Sequence, residues 1–93
     1  MIDRFYGEAR EMAQRLNWCL ETAIREEKDG MLEVFTGLDK DLYEYLQENP
    51  RFIELFFEDL EDYEYQSTEF YDDDEYAGSG AATFYLKEIE DNE

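Results

Sequence analysis

Apolar residues recur over the first part of the chain at alternating steps of three and four positions. This spacing places them along one side of a helix, which we expect over residues 3–28, with Gly30 as its stop. The stripe consists of Ile2, Phe5, Ala9, Met12, Leu16, Cys19 and Ala23. It could pack against the rest of the chain or against a second copy, so a homodimer through this first helix stays open.

Two shorter helices are predicted in the middle of the chain. Asp39 is a favourable N-cap residue, and the helix that it begins continues to about Glu48. Asn49 and Pro50 then place a proline at the first position of a third helix, which extends to about Asp62. The pattern of residues 31–35, which precede these helices, fits no single element type.

The pattern changes after residue 62. Tyr63, Tyr65 and Tyr71 fall in one class of a two-residue alternation, and residues 83–89 are β-branched and aromatic, as strands prefer. We expect these segments to pair as an antiparallel hairpin around an acidic loop at 72–80. The predicted fold class is therefore α+β, with three helices followed by a C-terminal antiparallel β-hairpin. At 93 residues the chain has room for one domain, spanning 1–93.

Charge is concentrated in the second part of the chain. The sequence holds 27 acidic and 8 basic residues, no histidine, and a net charge of −19. Residues 1–30 carry a net charge of −2 and residues 31–93 a net charge of −17, while positions 54–75 hold eleven acids and no base. Sixteen aromatic residues favour a folded chain over a disordered one. The charge excludes direct binding to nucleic acid and to an anionic membrane surface, since both require basic patches.

Several kinds of chemistry are excluded or disfavoured by composition. Without histidine, Ser-His-Asp catalysis, Cys-His catalysis and histidine metal sites are absent. A single cysteine, Cys19, forms neither an internal disulfide nor a cysteine zinc site. The acidic run at 72–78 lacks the carboxylate spacing of a calcium loop. No membrane-spanning run or secretory signal is visible. We therefore expect no enzyme activity, no cofactor and no metal, and a cytoplasmic location.

The carboxylates themselves are the best candidate for a functional surface. A helix places carboxylates about 5–6 Å apart at positions i and i+4, and a strand places them roughly 6.7 Å apart on one face. To a protein with a basic groove, such a row resembles a phosphate backbone, and tyrosines between the acids add amphipathic contact area. The residues expected to contact the partner are Glu54, Glu58, Asp59, Glu61, Asp62, Glu64, Tyr65, Glu69, Tyr71, Asp72, Asp73, Asp74 and Glu75.

In its size, its charge and its acidic, aromatic run at 54–76, the chain resembles the small acidic phage proteins that mimic nucleic acid, among them anti-restriction and anti-CRISPR inhibitors. The resemblance implies a stoichiometric inhibitor in the cytoplasm of a bacterial host, with an anti-CRISPR protein as the first expectation. Its partner would be a basic nucleic-acid-binding protein, such as a Cas effector or a restriction complex, whose DNA-binding groove it would occupy. Opposite charges would speed the encounter, and salt would weaken it.

Two alternatives use the same features differently. Immunity proteins and antitoxins of similar size cover the cationic active site of a basic nuclease, and this chain is similar to them in its acidic, tyrosine-bearing surface. A structural or regulatory adaptor would instead use the apolar stripe of the first helix, so that substitutions in that stripe would matter more than substitutions of acids.

Overall fold

The computed structural model describes residues 5–72 and 79–89, in which three helices and four strands alternate along the chain. The strands form one antiparallel sheet in the order β1-β2-β4-β3. The elements are α1 (Glu8–Glu21), β1 (Ile24–Lys28), β2 (Met31–Asp39), α2 (Lys40–Glu48), α3 (Pro50–Phe57), β3 (Tyr63–Tyr71) and β4 (Ser79–Glu88). No helix within these ranges is both long and apolar enough to cross a bilayer.

The predicted order of three helices followed by a C-terminal hairpin is wrong, because a β-hairpin lies between α1 and α2. The first helix ends at Glu21, seven residues before the expected end, and β1 and β2 follow it. Asp29 and Gly30 join these strands with φ angles of 52° and 78°. Two consecutive positive φ angles are the mark of a type I′ hairpin turn, for which Asp-Gly is a preferred pair. Gly30 therefore closes a hairpin and does not terminate a helix.

The helices cover one face of the sheet. Along β2, Val34, Thr36 and Leu38 are buried, whereas Phe35 and Gly37 between them are exposed. Successive strand residues point to opposite faces, so this alternation separates a helix-covered face from an open face. We call the second one the open face of the sheet. The cross-strand register places Phe35, Thr83 and Glu69 in one row on it.

All three helices contribute to a single core against the covered face. The apolar stripe of α1 packs on this chain's own sheet, with Leu16 fully buried. The aromatic residues of α3 and β4 lie at the centre, where the rings of Phe57 and Phe84 are 5.3 Å apart. The buried apolar side chains are Phe5, Ala13, Leu16, Val34, Leu38, Leu42, Leu46, Phe52, Ile53, Phe56, Phe57, Ala82, Phe84 and Leu86.

The starts of α2 and α3 follow their local sequence. Asp39 precedes α2 with an extended backbone, but its carboxylate accepts a hydrogen bond from the Arg15 guanidinium at 2.9 Å and does not cap the helix. Pro50 occupies the first turn of α3, which ends at Phe57, short of the expected Asp62.

An irregularity in β3 changes which of its side chains face the helices. Tyr65 is opposite Leu86 and Ser67 is opposite Tyr85, so Gln66 is an additional residue on this strand. Such a bulge reverses the alternation that follows it. Tyr65 consequently faces the helices while Tyr71 lies on the open face, although the sequence pattern placed both in one class.

Candidate functional site

The expected site residues of α3 and the start of β3 meet around one groove. Glu54 in α3, Glu58 immediately after it and Glu64 in β3 line a groove of about 540 Å³. All three side chains are exposed. Arg51 also lines the groove, so it is not purely acidic. The fold therefore brings together carboxylates that are ten positions apart in the sequence.

The turn between α3 and β3 carries the next three acids, Asp59, Glu61 and Asp62, all exposed. The turn is fixed by backbone hydrogen bonds: the Leu60 N–H donates to the Phe57 carbonyl at 3.3 Å, and the Ile89 N–H donates to the Asp62 carbonyl at 3.0 Å. The helix, the turn and the strand thus hold six exposed carboxylates on a defined backbone. We call this set the acidic surface; it consists of Glu54, Glu58, Asp59, Glu61, Asp62 and Glu64.

Tyr65, also expected at the surface, is half-buried and packs against the core. Its ring stacks on Phe57 with a centroid distance of 5.7 Å and an interplanar angle of 2°. Its hydroxyl shares a 2.5 Å hydrogen bond with the Thr68 hydroxyl. Burial raises the pKa of Tyr65, and the nearby Glu54 carboxylate acts in the same direction. Tyr65 therefore supports the strand that carries Glu64 and offers little free surface of its own.

Glu69 and Tyr71 lie apart from the acidic surface, on the open face of the sheet. The Tyr71 hydroxyl donates to the Glu69 carboxylate at 2.7 Å, and the Thr83 hydroxyl donates to the Tyr71 oxygen at 3.3 Å. Desolvation raises the pKa of the neighbouring Tyr85 to about 12, with further contributions from hydrogen bonds to Tyr71 and Glu69. At neutral pH Tyr85 is therefore uncharged.

The remaining expected site residues follow β3. Asp72 is exposed directly after the last residue of the strand. Asp73, Asp74 and Glu75 lie outside the described residues. Within the described ranges no group of three or more acidic or cysteine side chains is arranged to hold a metal ion.

Sequence reasoning missed an exposed aromatic and aliphatic patch. Ile24 and Phe35 are paired across β1 and β2 on the open face, and the Phe35 ring is 6.0 Å from that of Tyr71. Trp18 of α1 lies beside Ile24 and Phe35 along a second groove of about 470 Å³. The Asp29-Gly30 turn was the signal that could have revealed this patch, because it predicts the β1–β2 hairpin on which Ile24 and Phe35 lie.

Comparison of the chain with protein-family models, curated protein sequences and solved structures finds no match.

Proposed function

We propose that this protein is a stoichiometric inhibitor that presents the acidic surface to a basic nucleic-acid-binding protein in place of nucleic acid, as an anti-CRISPR protein does to a Cas effector. The supporting observation is that all six carboxylates between residues 54 and 64 are exposed and are carried by one helix, one turn and one strand. The stretch contains no lysine or arginine.

The amount of charge supports a binding role over a role in solubility. A small domain needs a net charge of only about 2–8 in magnitude to stay soluble, and this chain carries −19. Charge in that excess destabilises the compact state by self-repulsion. A cationic partner removes the repulsion on binding, so the excess favours complex formation.

The placement of the carboxylates supports the same proposal. The side of α3 opposite Glu54 and Glu58 is anchored in the core by Phe52, Phe56 and Phe57, which are all buried. The backbone positions that carry these two glutamates are therefore fixed before the partner arrives. Such preorganisation reduces the entropy that binding removes, as it does for phosphates fixed along a duplex.

The test is an inhibition assay with a panel of purified Cas effector complexes and restriction endonucleases, scored by cleavage of target DNA. The wild-type chain should inhibit at least one enzyme at a ratio near one to one, and added salt should weaken inhibition. If the chain inhibits none of these enzymes, the proposal is wrong. A basic toxin nuclease belongs in the panel, because inhibition of that enzyme alone would support the immunity-protein alternative.

Two variants that lose the same number of charges distinguish the effect of the acidic surface on inhibition from the effect of total net charge. In one, Glu54, Glu61 and Glu64 are changed together to Gln; in the control, Glu21, Glu44 and Glu48, which are exposed on α1 and α2, are changed to Gln. Both variants lose three negative charges. We expect the first to inhibit about tenfold more weakly, as the loss of three surface ion pairs implies, and the control to inhibit almost normally. Equal losses would show that total charge, and not the acidic surface, is responsible.

A further inference from the structure

Large apolar side chains stay uncovered on the open face of the sheet and at its adjoining edge, where Trp18 of α1 borders the start of β1. Phe35 and Tyr71 lie beside Thr83 on the open face. Trp18 and Ile24 border the groove at the start of β1. Their exposed fractions are 72% for Trp18, 68% for Ile24, 42% for Phe35 and 38% for Tyr71. Contiguous exposed apolar surface of this kind marks an interaction site more often than chance. We call these four residues and Tyr85 the open-face patch.

Carboxylates border this patch, and two lysines, Lys28 and Lys87, lie further along the same face, on either side of Met31. Glu26 of β1 lies directly opposite Glu33 of β2 in the sheet register, one row from Ile24 and Phe35. In the described part of the chain neither of these two carboxylates forms an ion pair with lysine or arginine. Like charges directly opposite each other on one face destabilise a sheet. The fold therefore retains an unfavourable pair beside exposed rings, and a bound cation would relieve it.

A third carboxylate lies among the aromatic side chains of the open face. Glu69 is in the same row as Phe35 and Thr83, and the 2.7 Å hydrogen bond from Tyr71 fixes its position. Tyr71 and Tyr85 use only part of the hydrogen-bonding capacity of this carboxylate, because its two oxygens can accept about four hydrogen bonds. The remaining capacity is available to a partner. An arginine side chain forms ion pairs with carboxylates and stacks on aromatic rings. The open face offers both kinds of group side by side.

We propose that the open-face patch docks an arginine-bearing apolar segment of the partner protein, with the guanidinium between Glu33, Glu69 and the aromatic rings. An apolar neighbour of the arginine would enter the groove of about 470 Å³ between Trp18 and Phe35. This inference rests on the proposed function in taking the partner to be a basic protein, but it uses residues outside the acidic surface.

Charge decides between such a partner and a second copy of this chain. Two copies joined through their open faces would bring together Glu26, Glu33, Glu64 and Glu69 of each chain, with only Lys28 and Lys87 of the same face to offset them. That contact would add repulsion between two chains that each carry a net charge of −19. A cationic segment meets the same apolar surface with the opposite charge, so it is the occupant that the patch fits.

Trp18, the one tryptophan of the sequence, reports directly on the patch. The experiment is a fluorescence titration of the full chain with an N-acetylated, C-amidated peptide in which arginine and valine alternate. A matched peptide has glutamate in place of arginine. We expect a blue shift of the Trp18 emission, protection from acrylamide quenching, and saturation at one peptide per chain with the arginine peptide only.

Two charge-matched variants make the test specific. Changing Glu33 and Glu69 together to Gln should weaken peptide binding about fivefold or more, because the guanidinium loses its anionic partners. Changing Glu44 and Glu48 of α2 to Gln removes the same charge and should leave the affinity within about twofold. Circular dichroism establishes that both variants keep the fold.

Three outcomes would overturn the inference. Equal weakening by the two variants would mean that the peptide responds to net charge alone. Absence of a Trp18 response to the arginine peptide would mean that the patch is not its docking site. A concentration-dependent Trp18 shift without peptide, together with a dimeric mass in sedimentation, would identify a second copy as the occupant. None of these outcomes affects the inhibition assay, and failure of the acidic-surface variants in that assay would leave the peptide result standing.

Discussion

The turn at Asp29 and Gly30 gives the sharpest test of the fold, because it distinguishes a β-hairpin from the continued helix that the apolar stripe suggests. Both residues have positive φ angles. A Cβ atom in this left-handed region comes too close to the following carbonyl oxygen, which costs about 1–2 kcal/mol. Open space surrounds the position where a Cβ of Gly30 would lie, so the penalty of Gly30→Ala arises from the backbone and not from a collision.

The magnitude follows from these angles. Gly30→Ala should lower the free energy of unfolding by about 1–2 kcal/mol, which for a chain of this size lowers Tm by about 4–8 °C per kcal/mol. Asp29→Val should be similarly harmful, since a β-branched residue at positive φ is strongly disfavoured. Asp29→Asn removes the same charge, but asparagine tolerates this conformation, so the free energy of unfolding should hardly change.

Urea unfolding followed by circular dichroism measures these differences, with the slope m checked for constancy among the variants. A helix that continued to Lys28 with Gly30 as its stop would require a left-handed conformation at Gly30 only. Asp29→Val would then cost no more than its helix propensity, a few tenths of a kcal/mol. An Asp29→Val variant as stable as Asp29→Asn would therefore refute the hairpin.

Three further predictions concern packing, pH and sheet charge. Gly80→Ala should destabilise the fold by about 1–3 kcal/mol in thermal unfolding, because the Tyr43 ring occupies the space that a Cβ would need. The fold raises the pKa of Tyr85 from its ordinary value of 10 to about 12, so the protonated tyrosine stabilises the folded state. This contribution to the free energy of unfolding is complete below pH 10 and is lost as the pH rises through 12. Urea unfolding at pH values from 10 to 12 should show that the free energy of unfolding falls. The fall should be smaller in the Tyr85→Phe variant, which has no phenol to ionise at this position. Glu26→Gln should raise the urea midpoint at low salt, because it removes the repulsion of Glu33.

Local signals in the sequence predicted some elements better than others. Asp39 and Pro50 stand at the starts of α2 and α3 as expected. The first-turn preference of proline depends only on the local backbone, whereas the Asp39 carboxylate binds Arg15 and does not cap α2. The pairing of β3 with β4 also follows from their patterns. The end of α1 was misjudged because Ala23, four positions after Cys19, continues the helical spacing beyond Glu21, where the chain turns into β1.

The candidate site was harder to predict, because tertiary contacts decide which face a strand residue takes. The additional residue Gln66 turns Tyr65 towards Phe57 and leaves Tyr71 on the open face. Strict alternation cannot reveal a bulge whose position is set by packing between a strand and a helix. The exposure of Glu54 and Glu58 could be predicted because the apolar residues of α3 define its buried side.

The same division of α3 explains how a chain with so much negative charge can hold its carboxylates in place. Phe52, Phe56 and Phe57 bury one side of the helix, and their rings contact one another and Phe84 at centroid distances between 5.1 and 6.3 Å. Each buried aromatic side chain contributes about 1.5–3 kcal/mol, whereas repulsion between exposed charges is reduced by solvent and screened by salt. The aromatic contacts therefore outweigh the repulsion that the acidic surface creates. Because they anchor α3 in the core, they also fix the backbone from which Glu54 and Glu58 would meet a basic partner.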